Sequence, residues 1–450
     1  MAEFIIHAIN RQGETAKFFY DNESSALLRE SGEPVAMPQP RPYTAAPVVS
    51  KDHAGRKDSP RVLKISLGLA CNYACTYCNQ KHVEKTAEAD PEDVDQFLHD
   101  LTTTLTKPPE RVEFWGGEPF VYWKKFKRIA EALRTTYPDA QFSVITNGSV
   151  LDIEKNEWLD RMGFSVGLSH DGPGYHARGK DPLDDPQRRE AIMDLWRRLS
   201  PVGRISVNAM MHRHNTSRGA VQSWLEDRFG PDVTIGEGSF IDPYDEGGLN
   251  STLPDAQSHL AYRRTAFRDL RSGRASKFQI AHNKISEFIE SVVTARPASA
   301  LGQKCQMDKP ENMAVDLRGN LLTCQNVSAV ATAPNGQPHK LGHITDLGNA
   351  ALKSATHWSH RNECRACPVL QLCKGSCMFL EGPLWEAACD AAYSDNLPFM
   401  AAAIEYLTGF LPVYIEGDFR ESRKDLFGYV EPPEPTTTRR VVPIVEAKTG

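Results

Sequence analysis

No run in this 450-residue chain reaches the roughly 18 apolar residues of a membrane-spanning helix, so no span is expected. The amino terminus, Met1-Ala-Glu-Phe-Ile-Ile-His-Ala8, lacks a basic segment and a long apolar core, and no secretory signal is expected. There is no excess of positive charge either. The net charge is −6, which argues against a general nucleic-acid-binding surface and leaves room only for a local basic groove. No internal repeat is visible. Apolar content of 40% and charged content of 24% are those of an ordinary globular protein. Against this background the ten cysteines stand out. Disulfides suit small secreted domains, and this chain is neither small nor visibly exported. Reduced, metal-bound thiols in the cytoplasm are the expectation.

The cysteines form two groups. The first is Cys71-Asn-Tyr-Ala-Cys75-Thr-Tyr-Cys78, directly after the apolar run from Val62 to Ala70. A strand followed by a loop would aim these thiolates at one point. Soft thiolates select zinc, copper(I) or iron–sulfur clusters. A structural zinc ion takes four protein ligands, and this stretch offers three. A cubane cluster held by three cysteines leaves one iron free for a chelating substrate. The other seven cysteines lie within residues 300–395. Two zinc sites on Cys364 to Cys377 are an alternative for part of that set, but they leave Cys305 and Cys324 unexplained.

From residue 61 strands and helices alternate. Strands are expected at 62–68, 111–115, 141–146, 164–169, 203–211 and 233–240, and helices at 91–106, 122–136, 153–162, 186–199 and 216–228. Asp90-Pro91-Glu92-Asp93 is a helix start with proline at the first helical position. The alternation predicts an α/β fold with a parallel sheet and a ligand site at the carboxyl ends of its strands. Ahead of it, residues 3–8 and 15–20 read as a hairpin and 23–30 as a helix. Residues 33–60, with six prolines, read as a mobile linker. Residues 255–296 read as two helices, 396–410 as an amphipathic helix, and the Pro- and Thr-rich end from Glu431 as frayed.

The second strand ends in Trp115-Gly116-Gly117-Glu118-Pro119. Paired glycines let the backbone approach a ligand, and the carboxylate can accept from an ammonium. Thr146-Asn147-Gly148 follows the third strand. Ser169-His170-Asp171-Gly172-Pro173 and then Arg178 follow the fourth, and Asp171-Gly-Pro reads as a turn. Together with Cys71-x3-Cys75-x2-Cys78, this series resembles the radical S-adenosylmethionine (radical SAM) family, whose signature has an aromatic residue before the third cysteine, here Tyr77. The resemblance implies a partial (β/α)6 TIM barrel with a 4Fe–4S cluster on Cys71, Cys75 and Cys78. It also implies S-adenosylmethionine bound by Tyr77, Gly116, Gly117, Glu118, Pro119, Ser169 and Arg178, with Asn208 of the fifth strand facing it.

The remaining cysteines, Cys305-x13-Gly319-x4-Cys324, then Cys364-x2-Cys367-x5-Cys373-x3-Cys377 and Cys389, resemble the SPASM extension of the same family. That implies two auxiliary 4Fe–4S clusters, three in all. Cys364, Cys367, Cys373 and Cys389 would hold the outer one, and Cys305, Cys324 and Cys377 the inner one. Seven thiolates leave the inner cluster one ligand short, with a fourth site that is open or filled by an oxygen ligand such as Asp308 or Glu311. The implied organisation is a hairpin and linker at 1–60, the barrel at 61–255, bridging helices at 256–299, the SPASM domain at 300–395, and a helix and tail at 396–450.

The family's chemistry implies an oxidoreductase in which a 5′-deoxyadenosyl radical abstracts hydrogen from a substrate carbon. Relatives with complete SPASM domains mostly modify ribosomally made peptides, which implies a precursor peptide as partner and a crosslink, carbon–carbon or thioether, or a related oxidation as outcome. A flavodoxin- or ferredoxin-type electron donor is implied too. A leader segment would add to the edge of the 3–20 hairpin, or else dock on a separate leader-binding protein. Sulfatase-maturing relatives carry an aspartate after the inner-cluster cysteine, where this chain has Gln325. Asp242, Tyr244 and His214, near the strand ends, are the candidates for proton handling. Maturation of a larger partner protein, such as a sulfatase or a dehydrogenase subunit, is the enzymatic alternative. A non-catalytic electron carrier is the contrasting one, and it has no need of a Gly-Gly-Glu-Pro pocket.

Overall fold

In the central strands, alternate residues are apolar and buried: Leu63 and Ile65, Val112 and Phe114, Phe142 and Val144, Val166 and Leu168. They pack with Phe126, Ile129, Leu133 and Trp158 of the flanking helices in one core. The intervening residues, among them Lys64, Glu113, Ser143, Ser165 and Ser206, leave the opposite face polar. A computed structural model describes residues 2–46, 55–353 and 355–428.

Six parallel strands follow one another across the sheet: β4 (Val62–Ser66), β5 (Arg111–Trp115), β6 (Gln141–Thr146), β7 (Phe164–Ser169), β8 (Ile205–Asn208) and β9 (Ile235–Glu237). The connecting helices are α1 (Pro91–Thr104), α2 (Trp123–Thr136), α3 (Ile153–Arg161), α4 (Pro186–Leu199) and α5 (Arg218–Phe229), as expected to within a few residues. Each start except that of α2 is fixed by a side-chain cap. Asp90 and Asp93 form a reciprocal capping box on α1, and Asp152, Asp185 and Ser217 cap α3, α4 and α5.

The sheet is larger than the alternation predicts. On the far side of β4 lies β10 (Asn312–Asp316), parallel to it with Met313 opposite Leu63. Then come β11 (Asn320–Leu322) and β12 (Lys340–His343), antiparallel, to give nine strands. The cysteine-rich region is therefore joined to the barrel-type unit by main-chain hydrogen bonds.

A second sheet has four strands, in the order β13-β1-β2-β3: β1 (Glu3–Ile9), β2 (Thr15–Asp21), β3 (Leu27–Arg29) and β13 (Leu411–Glu416). The hairpin is present. The helix expected at 23–30 is instead a turn leading into β3. Asp21 accepts from the Glu23 backbone N–H at 2.9 Å and from the Ser24 hydroxyl at 2.5 Å, and Ser25 takes a positive φ of 59°, which no helix interior allows. The expected leader-binding edge is also occupied. β1 lies between β2 and β13, β2 lies between β1 and β3, and on the outer side of β13 Ile415 N–H donates to Lys424 O at 3.0 Å and Leu426 N–H to Val413 O at 3.1 Å. The described parts of the expected mobile linker are tied down. Gln39 donates to Val293 O at 2.7 Å, Ala46 to Ser299 O at 2.8 Å and Arg56 to Leu347 O at 3.0 Å.

The remaining helices are α6 (Glu246–Asn250), α7 (Ala256–Arg271), α8 (Gln279–Val293), α9 (Asn362–Arg365), α10 (Leu370–Cys373) and α11 (Gly382–Thr408). The amphipathic helix expected at 396–410 is the second half of α11, which has 27 residues. It has no solvent face there, because every residue from Ala391 to Ile404 is buried. Asp395 within it accepts from Arg218 Nη2 and Tyr262 Oη at 2.5 Å each, pinning α5 and α7 to one point. No helix among the described residues is long and apolar enough to cross a membrane. The tail from Glu431 lies outside the described residues.

Candidate active site

The loop after β4 carries Cys71, Cys75 and Cys78, close enough that Cys78 disfavours ionisation of both Cys71 and Cys75. Burial raises Cys75 to about 11, with Arg178 opposing it. The loop is held from several sides. Ala70 N–H donates to Tyr122 Oη at 2.6 Å, and Thr76 N–H to Ala177 O at 2.8 Å. Asn72 donates to Ser149 Oγ at 2.7 Å and accepts from Asn147 Nδ2 at 2.9 Å.

Gly116 and Gly117 lie against that loop. Gly117 N–H donates to Gly68 O and Glu118 N–H to Ala70 O, both at 3.0 Å. A Cβ on Gly117 would sit 2.3 Å from Ala70 O, so only glycine fits. Glu118 is 1% exposed. Its carboxylate accepts from Phe120 N–H at 3.2 Å, Thr146 Oγ1 at 2.7 Å and Asn147 N–H at 2.8 Å. Burial raises its pKa and these bonds pull it down. A carboxylate has about four acceptor positions, so one stays open on Oε2 for an ammonium.

At the ends of β7 and β8 a second cluster forms around Asp171, which is fully buried. It accepts from Tyr77 Oη, from Met210 N–H at 3.0 Å, and pairs with Arg178 at 3.7 Å and His212 at 3.8 Å. Arg178 also donates to Tyr77 Oη at 3.1 Å. Burial acts to lower Arg178, but Tyr77, Asp171 and Cys75 hold it above its ordinary value. Burial lowers the His212 pKa, with Asp171 opposing it. Asn208 is opposite Ser169 in the β7–β8 register. Its amide lies over Gly167 and Gly236, where added Cβ atoms would be 2.6 and 3.1 Å away. The polar face below opens into a cavity of about 410 Å³ lined by Glu113, Trp115, Ser143, Ser165, Gly167 and Ser206.

The C-terminal thiols fall into the two expected sets. Cys364, Cys367, Cys373 and Cys389 together line one small apolar cavity, closed by Val369, Leu370, Trp385 and Tyr393. Burial pushes the Cys367 thiol up to about 12, and Cys389 and Cys373 add to it. Arg423 Nη2 lies 3.2 Å from Cys389 Sγ. Beside this cavity the buried Gln303 carboxamide has no hydrogen-bond partner, and its Oε1 would lie 3.6 Å from a Cβ on Gly375. Cys305, Cys324 and Cys377 neighbour one another at the mouth of the large sheet. Among the described residues no three or more His, Cys, Asp or Glu side chains converge on a single-ion site. An all-thiol set around an apolar cavity, with an arginine at its rim, suits an iron–sulfur cluster.

Residues 65–220 match the Radical SAM superfamily. That stretch is a radical SAM domain. Over 239 residues it is 23% identical to the radical SAM cyclopropyl synthase TigE of Paramaledivibacter caminithermalis, a match that covers 45% of this chain and spans half the length of that relative. Over 339 residues it is 23% identical to the serine-type anaerobic sulfatase-maturating enzyme of Klebsiella aerogenes, covering 70% of this chain and 79% of the relative. Its fold is similar to that of a solved structure described as anSMEcpe with bound AdoMet, with a TM-score of 0.55 and 19% identity over 78% of this chain and 98% of that one.

Within the radical SAM domain, Cys71, Cys75, Cys78, Tyr77, Gly116 to Pro119, Ser169, Arg178 and Asn208 all lie at or beside the carboxyl ends of β4, β5, β7 and β8. Of the proton-handling candidates, His214 is exposed, and it is His212 that points at Asp171. Asp242 and Tyr244 belong to the other thiol group. Asp242 accepts from Ser376 Oγ at 2.5 Å and Lys304 Nζ at 3.3 Å, and Tyr244 Oη is 2.6 Å from Cys377 Sγ. The oxygen ligands suggested for the inner set have these neighbours. Asp308 accepts from Gln303 N–H at 3.0 Å, and Glu311 faces Lys57 at 3.9 Å. Sequence reasoning missed Asp171, taken for a turn residue. Its place between Ser169 and Gly172-Pro173 was the available signal. Lys64 was missed too. It sits 3.4 Å from Gln325 Oε1 and 3.7 Å from Glu113, and no local pattern marks a lysine on the inner face of a strand.

Proposed function

We propose that this radical SAM enzyme matures a ribosomally made peptide, installing an intramolecular crosslink or a related oxidation with the help of three 4Fe–4S clusters. The observation that carries the reading is the meeting of the two cysteine groups. The loop after Cys324 touches the loop after Cys78: Gln80 Nε2 donates to Asn326 Oδ1 at 3.3 Å, Ser328 Oγ donates to Glu84 O, and Gln325 accepts from Lys64 at 3.4 Å. The two thiol groups are thus joined through their loops. The polar face of the sheet opens into a cavity of about 410 Å³, within the roughly 300–1,000 Å³ of ordinary ligand sites.

When bound, the first cluster and S-adenosylmethionine supply the 5′-deoxyadenosyl radical that abstracts a substrate hydrogen. The residues divide the remaining work. Cys71, Cys75 and Cys78 would hold the cluster, and the open acceptor on Glu118 would take the methionine ammonium. Gly116, Gly117 and Pro119 keep the floor low enough for the cofactor to enter. Ser169 would lie near the cofactor's ribose or carboxylate, and Asn208 would face the cofactor. Arg178, fixed by Asp171 and Tyr77, supplies a positive charge beside the cysteine loop. With both hairpin edges covered, a leader would engage a separate binding protein or the core segment would be recognised directly. The setting is cytoplasmic, with a flavodoxin- or ferredoxin-type donor.

Maturation of a protein such as a sulfatase is the second reading, favoured by the length of the match to the Klebsiella aerogenes enzyme. Gln325 speaks against it, since its carboxamide already accepts from Lys64 and a carboxamide is no base at neutral pH. The test is anaerobic reconstitution, then co-expression with neighbouring short reading frames. Formation of 5′-deoxyadenosine and a peptide lighter by two hydrogens is expected. A reconstituted chain that makes no 5′-deoxyadenosine would overturn the enzymatic reading. A triple alanine variant of Cys71, Cys75 and Cys78 that still makes it would overturn the ligand assignment.

A further inference from the structure

Tyr244 stands in the loop after β9, at the carboxyl end of the large sheet. Its phenol leaves that sheet and reaches into the C-terminal region, where Oη lies 2.6 Å from Cys377 Sγ. Tyr244 packs, as Cys377 does, against the apolar cluster that holds Leu301, Trp358, Leu380 and Trp385. The contact spans 133 positions of sequence, so neither partner is placed by the other's local structure. It is braced one residue pair away, where Asp242 accepts from Ser376 Oγ at 2.5 Å and from Lys304 Nζ at 3.3 Å. These bonds lock the loop after β9 onto the turn that carries Cys377.

We propose that Tyr244 donates a hydrogen bond to the Cys377 sulfur of the inner auxiliary cluster and thereby sets that cluster's reduction potential. The proposal rests on the assignment of Cys305, Cys324 and Cys377 to one cluster. Either atom can be the donor when both are neutral. A metal-bound thiolate has no proton, so in the loaded protein the phenol alone can donate. A hydrogen bond to a ligating sulfur withdraws charge and favours the reduced, more negative cluster, which raises its potential. Tyr244 is a positioning residue here, since it acts through Cys377.

The experiment is a potentiometric titration, followed by electron paramagnetic resonance, of full-length, fully reconstituted wild type and Tyr244→Phe. A second arm places a fluorinated tyrosine at position 244, which keeps the ring and sharpens the donor. The expected result is wild-type iron content in both variants, a lower inner-cluster potential in Tyr244→Phe, a higher one with fluorotyrosine, and no change in the other clusters. Unchanged inner-cluster potentials across the series overturn the proposal. Loss of one cluster's iron from Tyr244→Phe with the fluorotyrosine protein intact also overturns it, making the phenol a ligand and not a donor. If Tyr244→Phe fails to fold, the fluorotyrosine arm decides alone. If wild type itself yields no third cluster signal, it is the cluster assignment that has failed.

Discussion

Gly117 and Asp171 show how much of the site depends on single atoms. A methyl group on Gly117 meets Ala70 O at 2.3 Å, while on Gly116 the nearest atom, Gly68 O, is 3.0 Å away. Gly117→Ala should therefore displace the cysteine loop, cost about 1–3 kcal/mol and nearly abolish 5′-deoxyadenosine formation, with Gly116→Ala milder. Thermal melting and a cleavage assay on the two variants check this ordering. Asp171→Ala leaves Arg178 and Tyr77 without their shared acceptor, and breaking such a buried pair costs about 3–5 kcal/mol. Asp171→Asn keeps an acceptor for Met210 N–H and should lose less stability. Cofactor cleavage should fall in both. The cysteines, Gly116 to Pro119 and Ser169 were legible because each belongs to a spaced motif. Asp171, His212 and Lys64 were not, because their roles come from partners far away in sequence.

Among the elements, legibility follows periodicity and caps. The six parallel strands and five helices were readable because apolar residues alternate in the strands and Asp90, Asp152, Asp185 and Ser217 mark helix starts. β3 has three residues and owes its form to pairing with β2. The burial of α11 erases the amphipathic signal, and the pairing of β10 with β4 leaves no local trace. The β11–β12 region contains a pH-sensitive contact. His339 is 6% exposed, its Nδ1 is 2.6 Å from Thr323 Oγ1, and burial lowers its pKa from 6.5 to about 4. The unfolded chain binds the proton more readily, so the stabilisation is complete above pH 6.5 and is lost as pH falls towards 4. At pH 5 the loss should be about 2 kcal/mol. Urea unfolding at pH 7 and pH 5 should show it in wild type and a much smaller change in His339→Gln.

At the scale of the whole molecule, the radical SAM domain and the cysteine-rich region share one sheet and one pillar. β10 extends the sheet beyond β4, and α11 ties α5 and α7 through Asp395. A fragment ending near residue 255 loses both. It should be insoluble or lack a cooperative melt, whereas the chain cut after residue 428 should melt like full length. Circular dichroism and solubility of the two truncations test this, and a well-folded 61–255 fragment would contradict it.

The β10–β4 pairing also imposes a schedule on synthesis. Strand β4, immediately ahead of the cysteine loop, emerges early, and its outer neighbour begins only at Asn312. At about 5–20 residues per second, roughly 10–50 s of translation separate the two. For that interval the nascent chain presents a bare row of amide and carbonyl groups beside three unmetallated thiols. Such an edge is a template for pairing with other chains.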